Sequence, residues 1–235
     1  MSRYGSSSFS TFTVDGTSIL AAKLQGVTHK VESITEPDYG LGDSAEAHTP
    51  VNMMKASLAQ NGGFFDDAAG QMHALLKAGS TAERQIVFSV DGVTFTGAFG
   101  TLVTSYEPIV SNGKLTKANA AYQITGAADS GVILQNAAQT IDWNGASVDN
   151  AASSANGGVG YLQITALAGI TGVVIYIEDS PDDSVWTTLI AFTNVTAAPA
   201  AQRIEVAGTV DQYLRVRGDV AGTGSLTVFA GFSRL

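Results

Sequence analysis

The sequence predicts a mainly β protein: an N-terminal β-sandwich or partial barrel with one flanking α-helix over residues 1–132, then an antiparallel β-sandwich over residues 133–235. Three observations predict it. Apolar residues alternate with polar ones along most of the chain, the period of a strand with one buried face. Glycine is abundant, at 26 of 235 residues, and aromatic residues make up only 8%, a balance that favours short strands and many turns. A single segment carries the three-to-four spacing of a helix.

Phe12 and Val14 open the alternation, and Ile19 to Ile34 continues it. From Glu36 to Pro50 the pattern disappears. Pro37, Gly40, Gly42 and Pro50 interrupt it, the carboxylates of Glu36, Asp38, Asp43 and Glu46 crowd it, and Tyr39, Leu41 and Val51 are its only anchors. A loop of this length in a compact domain is either functional or disordered. After Phe65, Ala68, Met72, Leu75 and Leu76 form a helical stripe, with Asp66 and Asp67 at its start, Lys77 in its last turn and Gly79 beyond. That charge order suits a helix dipole and predicts a helix over 66–77. Ile86, Phe88 and Val90 share one strand face, and Asp91-Gly92 then signals a hairpin into Thr94, Phe95 and Thr96. Further β-rich runs cover 102–106 and 115–125.

A composition shift follows. Residues 137–160 are rich in Ala, Ser, Asn and Gly, and no lysine occurs after Asn119. Beyond it come four strand patterns: Leu162, Ile164 and Ala166; Val173, Ile175 and Ile177; Leu214 and Val216; and Leu226, Val228, Ala230 and Phe232. Short strands with turn clusters between them read as a second sandwich, with the boundary near residue 132.

Twelve basic against 21 acidic residues leave a net charge of −9. Such a balance argues against a nucleic-acid reader, whose affinity comes from Lys and Arg on phosphates. Residues 1–13 are Ser-rich without an apolar run, so no secretory signal is expected, and no stretch reaches the ~20 apolar residues that span a bilayer. There is no cysteine, hence neither disulfides nor thiolate metal ligands. Nucleophile-elbow, phosphate-loop and zinc-protease motifs are all missing. His29, His48 and His73 fall on separate segments, none with a second ligand at metal spacing. Two local features remain. Glu178, Asp179, Asp182 and Asp183 around Pro181 have the composition of a turn, which the reading favours, and also the oxygen content of a calcium loop. Trp186 and Tyr176 read as core residues or as a glycan-stacking platform. No catalytic residue, metal site or cofactor is expected.

Two groups of motifs carry a resemblance. Ile34-Thr35-Glu36-Pro37-Asp38-Tyr39, Gly42-Asp43-Ser44, residues 51–58 and Gly62-Gly63-Phe64-Phe65-Asp66-Asp67 together resemble the major tail tube proteins of bacteriophages with long, non-contractile tails. Ser147-Val148-Asp149-Asn150, Gly157 to Gln163, Glu178-Asp179-Ser180, Val185-Trp186, Phe192-Thr193 and Gly208 to Val216 are similar to the sandwich appended to many such proteins, itself similar to carbohydrate-binding modules. Pro50 and Met53-Met54 depart from the usual strand start after the loop, and Glu178-Asp179-Ser180-Pro181 departs from the usual residue before the serine.

The resemblance implies a structural virion protein of the tail, assembled in the host cytoplasm. Six subunits would close a ring, rings would stack into a tube, and the tape measure protein and genomic DNA would pass through the lumen without specific binding. Other tail proteins would meet the tube ends. Glu36, Asp38, Tyr39, Asp43, Glu46 and His48 would form an inter-ring loop. Residues 1–130 hold eight basic and twelve acidic side chains, a net of −4, so an acidic lumen is expected, which would let DNA slide. The alternative is a glycan-binding adhesion module displayed on a β-rich scaffold, with host-surface glycans as its partner.

Overall fold

The computed structural model describes residues 10–19, 25–38, 47–68, 71–77, 79, 82–126 and 128–235, with backbone alone at 36–38, 47–54 and 64. It is mainly β, with antiparallel strand pairing throughout the described residues. Two compact units form it: residues 1–21, 84–99 and 129–235 make one, residues 22–83 and 100–128 the other. These units do not follow a single cut near residue 132. The reason is pairing: β1 (Thr11–Val14) is hydrogen-bonded to β5 (Arg84–Ser89), across more than 70 intervening residues, and not to its sequence neighbours alone.

In the first unit, β1 turns through Asp15-Gly16 into β2 (Thr17–Ser18), and β5 turns through Asp91-Gly92 into β6 (Thr94–Ile109) as expected. Asp91 Oδ1 accepts the N–H groups of Val93 and Thr94 at 2.9 and 2.7 Å, which satisfies the donors a tight turn exposes. The strand order is β12-β11-β14-β8-β6-β5-β1-β2, where β8 is Ala128–Gln139, β11 Gly158–Ser180, β12 Thr187–Ala191 and β14 Tyr213–Arg234. Three shorter strands join them: β9 (Trp143–Asn144) and β10 (Val148–Asp149) pair with β14, and β13 (Ala200–Val206) pairs with β11.

The four C-terminal strand patterns are two long strands. Residues 162–166 and 173–177 both belong to β11, and residues 214–216 and 226–232 both belong to β14. Gly169 and Gly222, at φ +73° and +98°, lie beside register shifts midway along the pair. Glycine tolerates this left-handed backbone without a Cβ clash, so the chain bends there and stays hydrogen-bonded where the sequence alone reads a turn. The outer edge of β11 then pairs β13 at one end and β12 at the other. Leu162, Ile164, Leu226 and Val228 from one half share a core with Ile175, Ile177, Leu214 and Val216 from the other.

In the second unit, β3 (Gly26–Asp38), β4 (Ala47–Phe64), β7 (Lys117–Ile124) and β6 follow in that order. The expected patternless segment is partly strand: Thr35↔Pro50, Glu36↔Thr49, Pro37↔His48 and Asp38↔Ala47 extend the β3–β4 ladder. Pairing set by the apolar part of the hairpin propagates into it without needing its own alternation. Residues 39–46 lie outside the described residues. The helix is shorter than predicted. α1 spans Met72–Leu76, because Asp66 Oδ1 accepts the Ala68 N–H at 3.0 Å and folds 66–68 into a local turn that competes with the first helical turn.

Phe95 on β6 meets Tyr161 on β11 and Phe229 on β14 edge-on, each at 5.5 Å between ring centroids. A fragment of residues 1–132 lacks both partners and is therefore expected to bind a hydrophobic dye that the full chain does not bind. Fragment fluorescence equal to that of the full chain would contradict this.

Candidate functional site

Register assigns every described residue of the second unit's sheet to one of two faces. Leu58, Tyr122 and Val103 lie across from one another on one face, beside Gln60 and Ala120. This face is buried under α1. Tyr122 donates its hydroxyl proton to Gln60 Oε1 at 3.0 Å, Gln60 Nε2 lies 2.6 Å from Met72 Sδ, and Tyr106 Oη lies 3.1 Å from His73 Nδ1. Burial pushes the Tyr106 hydroxyl above its ordinary range. Phe65 stands 4.5 Å from the His73 ring, so His73 is a packed histidine of the helix contact.

The opposite face is solvent-facing and polar. It carries Lys30, Glu32, Lys55, Ser57, Glu107, Lys117, Asn119 and Gln123. Lys30 Nζ is 2.6 Å from Glu32 Oε1. Among the residues whose side chains are described, this face carries three lysines and two glutamates, and the alternation of β3 puts positions 36 and 38 on the same register side.

β3 is the distinctive element. Among the described residues its only strand partner is β4, and residues 28–35 are exposed on both faces. Val31 is 47% exposed and Ile34 38%. Among the described residues, this 13-residue strand pairs along one edge only, with β4. Of the expected inter-ring residues, Glu36, Asp38 and His48 stand at the far end of the β3–β4 ladder, while Tyr39, Asp43 and Glu46 lie outside the described residues.

The first unit holds a second polar constellation. Glu178 pairs across strands with Arg215, and Tyr176 with Arg217, so all four share one outward face. Glu178 is buried and accepts from Arg215 Nε at 2.8 Å through Oε2 and from Arg217 Nε at 2.8 Å through Oε1. Arg215 lies 4.2 Å over Trp186 and Arg217 3.9 Å over Tyr176. Arg217 also bonds Asp219. The two rings of the expected glycan platform each carry a guanidinium on one face, where a sugar would stack. Sequence reasoning passed over the arginines. Their i, i+2 spacing opposite a Tyr–Glu pair at the same spacing was the available signal.

The acidic turn is engaged internally. Asp182 Oδ1 accepts the Val185 and Ser184 N–H groups at 3.0 Å and lies 3.0 Å from Ser180 Oγ, and these bonds hold its carboxyl far below the usual range. Burial pushes Asp179 up, and it accepts the Asp211 N–H at 3.0 Å. With Glu178 turned to the arginines, the four carboxylates do not converge. Among the described residues no group of three His, Cys, Asp or Glu is placed to hold a metal ion.

No protein-family model matches the chain, and no curated protein does. Among solved structures it is similar to the tail of an empty gene transfer agent particle, refined with C6 helical symmetry, at 17% identity over 45% of this chain and 79% of that one, TM-score 0.33. It is similar to a chain of the native gene transfer agent virion at 16% identity, over 45% and 82%, TM-score 0.33. A third likeness is to the SPP1 Dit protein, described as a hub adsorption apparatus of phages that infect Gram-positive hosts, at 11% identity over 95% and 99%, TM-score 0.36.

Removing Glu178 leaves two guanidinium groups without their shared carboxylate. Glu178→Ala is expected to destabilise the chain by about 2–4 kcal/mol, with a change in Trp186 fluorescence; the partly exposed arginines keep the loss below that of a fully buried pair. Asp182 is a depressed carboxyl, so its contribution to stability is present above the ordinary carboxylate range and is lost as pH falls towards its folded value. Asp182→Asn should therefore lose less Tm than wild type as pH drops below about 4.

Proposed function

We propose that the chain is a structural subunit of a bacteriophage tail, most specifically a tail tube protein that closes into hexameric rings stacked as a conduit for DNA delivery. The observation that carries this reading is the open edge of β3. A strand of 13 residues, exposed on both faces over 28–35 and paired among the described residues with β4 alone, favours pairing with another chain, and β6 stands at the other end of the second unit's sheet. An edge-to-edge repeat of such sheets closes a barrel and removes the open edges. The tail-tube resemblance of residues 34–67 supplies the identity of the assembly.

In this reading the helix-free face of the sheet lines the lumen. Positions 36 and 38 of β3, both acidic, share the register side of Lys30 and Glu32, and Lys30 is paired to Glu32, so the wall offers DNA few unpaired cations to bind. Tape measure protein and genome pass along it, and other tail proteins meet the ends. The subunit resides in the virion tail after assembly in the host cytoplasm. The unit that holds residues 133–235 serves as a decorating domain. The glycan-module alternative is less favoured, because Arg215 and Arg217 occupy ring faces of Trp186 and Tyr176.

Negative-stain microscopy and sedimentation of the purified chain test the proposal. Rings or tubes are expected; dispersed monomers that bind glycans would favour the module. Val31→Asp combined with Ile34→Asp puts charge on the exposed edge without touching the core. It should raise the concentration needed for assembly at least ~10-fold, about 1.4 kcal/mol per contact, and leave the circular dichroism spectrum unchanged.

A further inference from the structure

We propose that the Asn112-Gly113 step is a site of spontaneous deamidation, where the chain's own backbone converts a neutral amide at the tip of the β6–β7 hairpin into a carboxylate, with water as the only co-reactant. The inference does not depend on the self-assembly reading.

The reaction needs an asparagine amide, a following backbone nitrogen with no other engagement, and room for the two to close a five-membered ring. Glycine gives the least hindered nitrogen, because it carries no Cβ beside it. The sequence has four such steps: Asn61-Gly62, Asn112-Gly113, Asn144-Gly145 and Asn156-Gly157. Folding treats them differently. The Gly62 N–H donates to Asn119 Oδ1 at 2.8 Å, and the Gly145 N–H to the Val216 carbonyl at 2.7 Å. Gly157 is buried, its carbonyl accepts the Leu235 N–H at 3.3 Å, and a Cβ on it would lie 2.0 Å from the Val206 carbonyl oxygen. Asn112 and Gly113 are instead the central pair of the exposed turn 111–114, whose own hydrogen bond is donated by the Lys114 N–H to the Ser111 carbonyl at 3.2 Å. Gly113 stands at φ +70°, and a Cβ on it would meet nothing within 4 Å. Among the described residues neither the Asn112 side chain nor the Gly113 N–H has a hydrogen-bond partner. The two Asp-Gly turns, which could close the same ring with loss of water, are engaged as well: the Gly16 N–H donates to Gln163 Oε1, and the Gly92 N–H to Ser89 Oγ at 3.0 Å.

The steps balance without an oxidant or reductant. The Gly113 nitrogen loses its proton and attacks Asn112 Cγ. The new C–N bond forms as the Cγ–Nδ2 bond breaks, and Nδ2 leaves as ammonia. Water then opens the succinimide: cleavage at the former side-chain carbonyl gives aspartate, and cleavage at the backbone carbonyl gives isoaspartate, which routes the chain through Cγ and adds one carbon to the backbone. Either product puts a carboxylate into the stretch 108–117, whose only charged residues are Lys114 and Lys117. The new charge stands between Val110 and Leu115, which are 80% and 71% exposed.

Timed incubation of the purified full chain at mildly alkaline pH, followed by digestion and mass spectrometry, tests this, with an isoaspartate-specific methyltransferase as a second probe. The peptide holding Asn112 should convert at least ~10-fold faster than those holding Asn61, Asn144 and Asn156, since an engaged or crowded amide reacts only after local opening. The rate should rise with pH, because the deprotonated nitrogen is the attacking species. In denaturant the four rates should draw together, which separates selection by the fold from selection by sequence. Asn112→Gln, whose longer side chain must close a larger ring, should abolish the methyltransferase signal of the folded chain. Equal rates at the four steps in the folded chain, or an intact Asn112 after any of the other three has converted, overturn the proposal.

Discussion

The pairing of β11 with β14 is the constraint on which the rest of the first unit depends. Their ladder runs from Gly158↔Arg234 to Ser180↔Tyr213, far longer than a typical strand pair. Every other C-terminal strand is a satellite of it: β12 and β13 pair β11, while β8, β9 and β10 pair β14. A flat ribbon of that length would leave its apolar face in water. The bend at Gly169 and Gly222 brings Ile164 and Ile175 into one core and makes a single strand pair serve as both walls of a sandwich.

Charge is handled locally in this unit. Asp129 accepts from Arg203 and Tyr161, which itself lies beneath the guanidinium, and Arg203 further contacts Glu205 and Phe99. Burial first, and then the neighbouring Asp129, pushes the Tyr161 hydroxyl far above its ordinary range, so it remains a donor. Arg234 spans the carbonyls of Ala152 and Asp211, tying the chain end to two loops. Arg203 finds acceptors for Nε, Nη1 and Nη2 in Asp129 and Glu205, whereas the Nε of Arg234 is buried without one.

The second unit is built on the opposite principle. Its helix and the Gln60–Tyr122–Met72 contacts secure the middle of the sheet, whereas β3 and the β6–β7 tip expose Val31, Ile34, Ile109, Val110 and Leu115. The buried contacts of this unit are concentrated away from these edges.

By itself the sequence determined the secondary-structure class, the Asp91-Gly92 hairpin, the presence of a helix within 66–77, though not its start, and the apolar set of the C-terminal core, because alternation and turn chemistry are local properties of the chain. It also placed Trp186, Tyr176 and the acidic turn beside one another. What it could not hold was partnership. The pairing of Thr11 with Ser89, the merging of four strand patterns into two bent strands, the division into two interleaved units and the capture of Trp186 and Tyr176 by Arg215 and Arg217 are contacts between residues tens of positions apart. Hydrogen bonds of a strand edge and the stacking of a guanidinium are satisfied equally well by many partners of the same chemical type, so only the folded chain, by fixing register and distance, selects one.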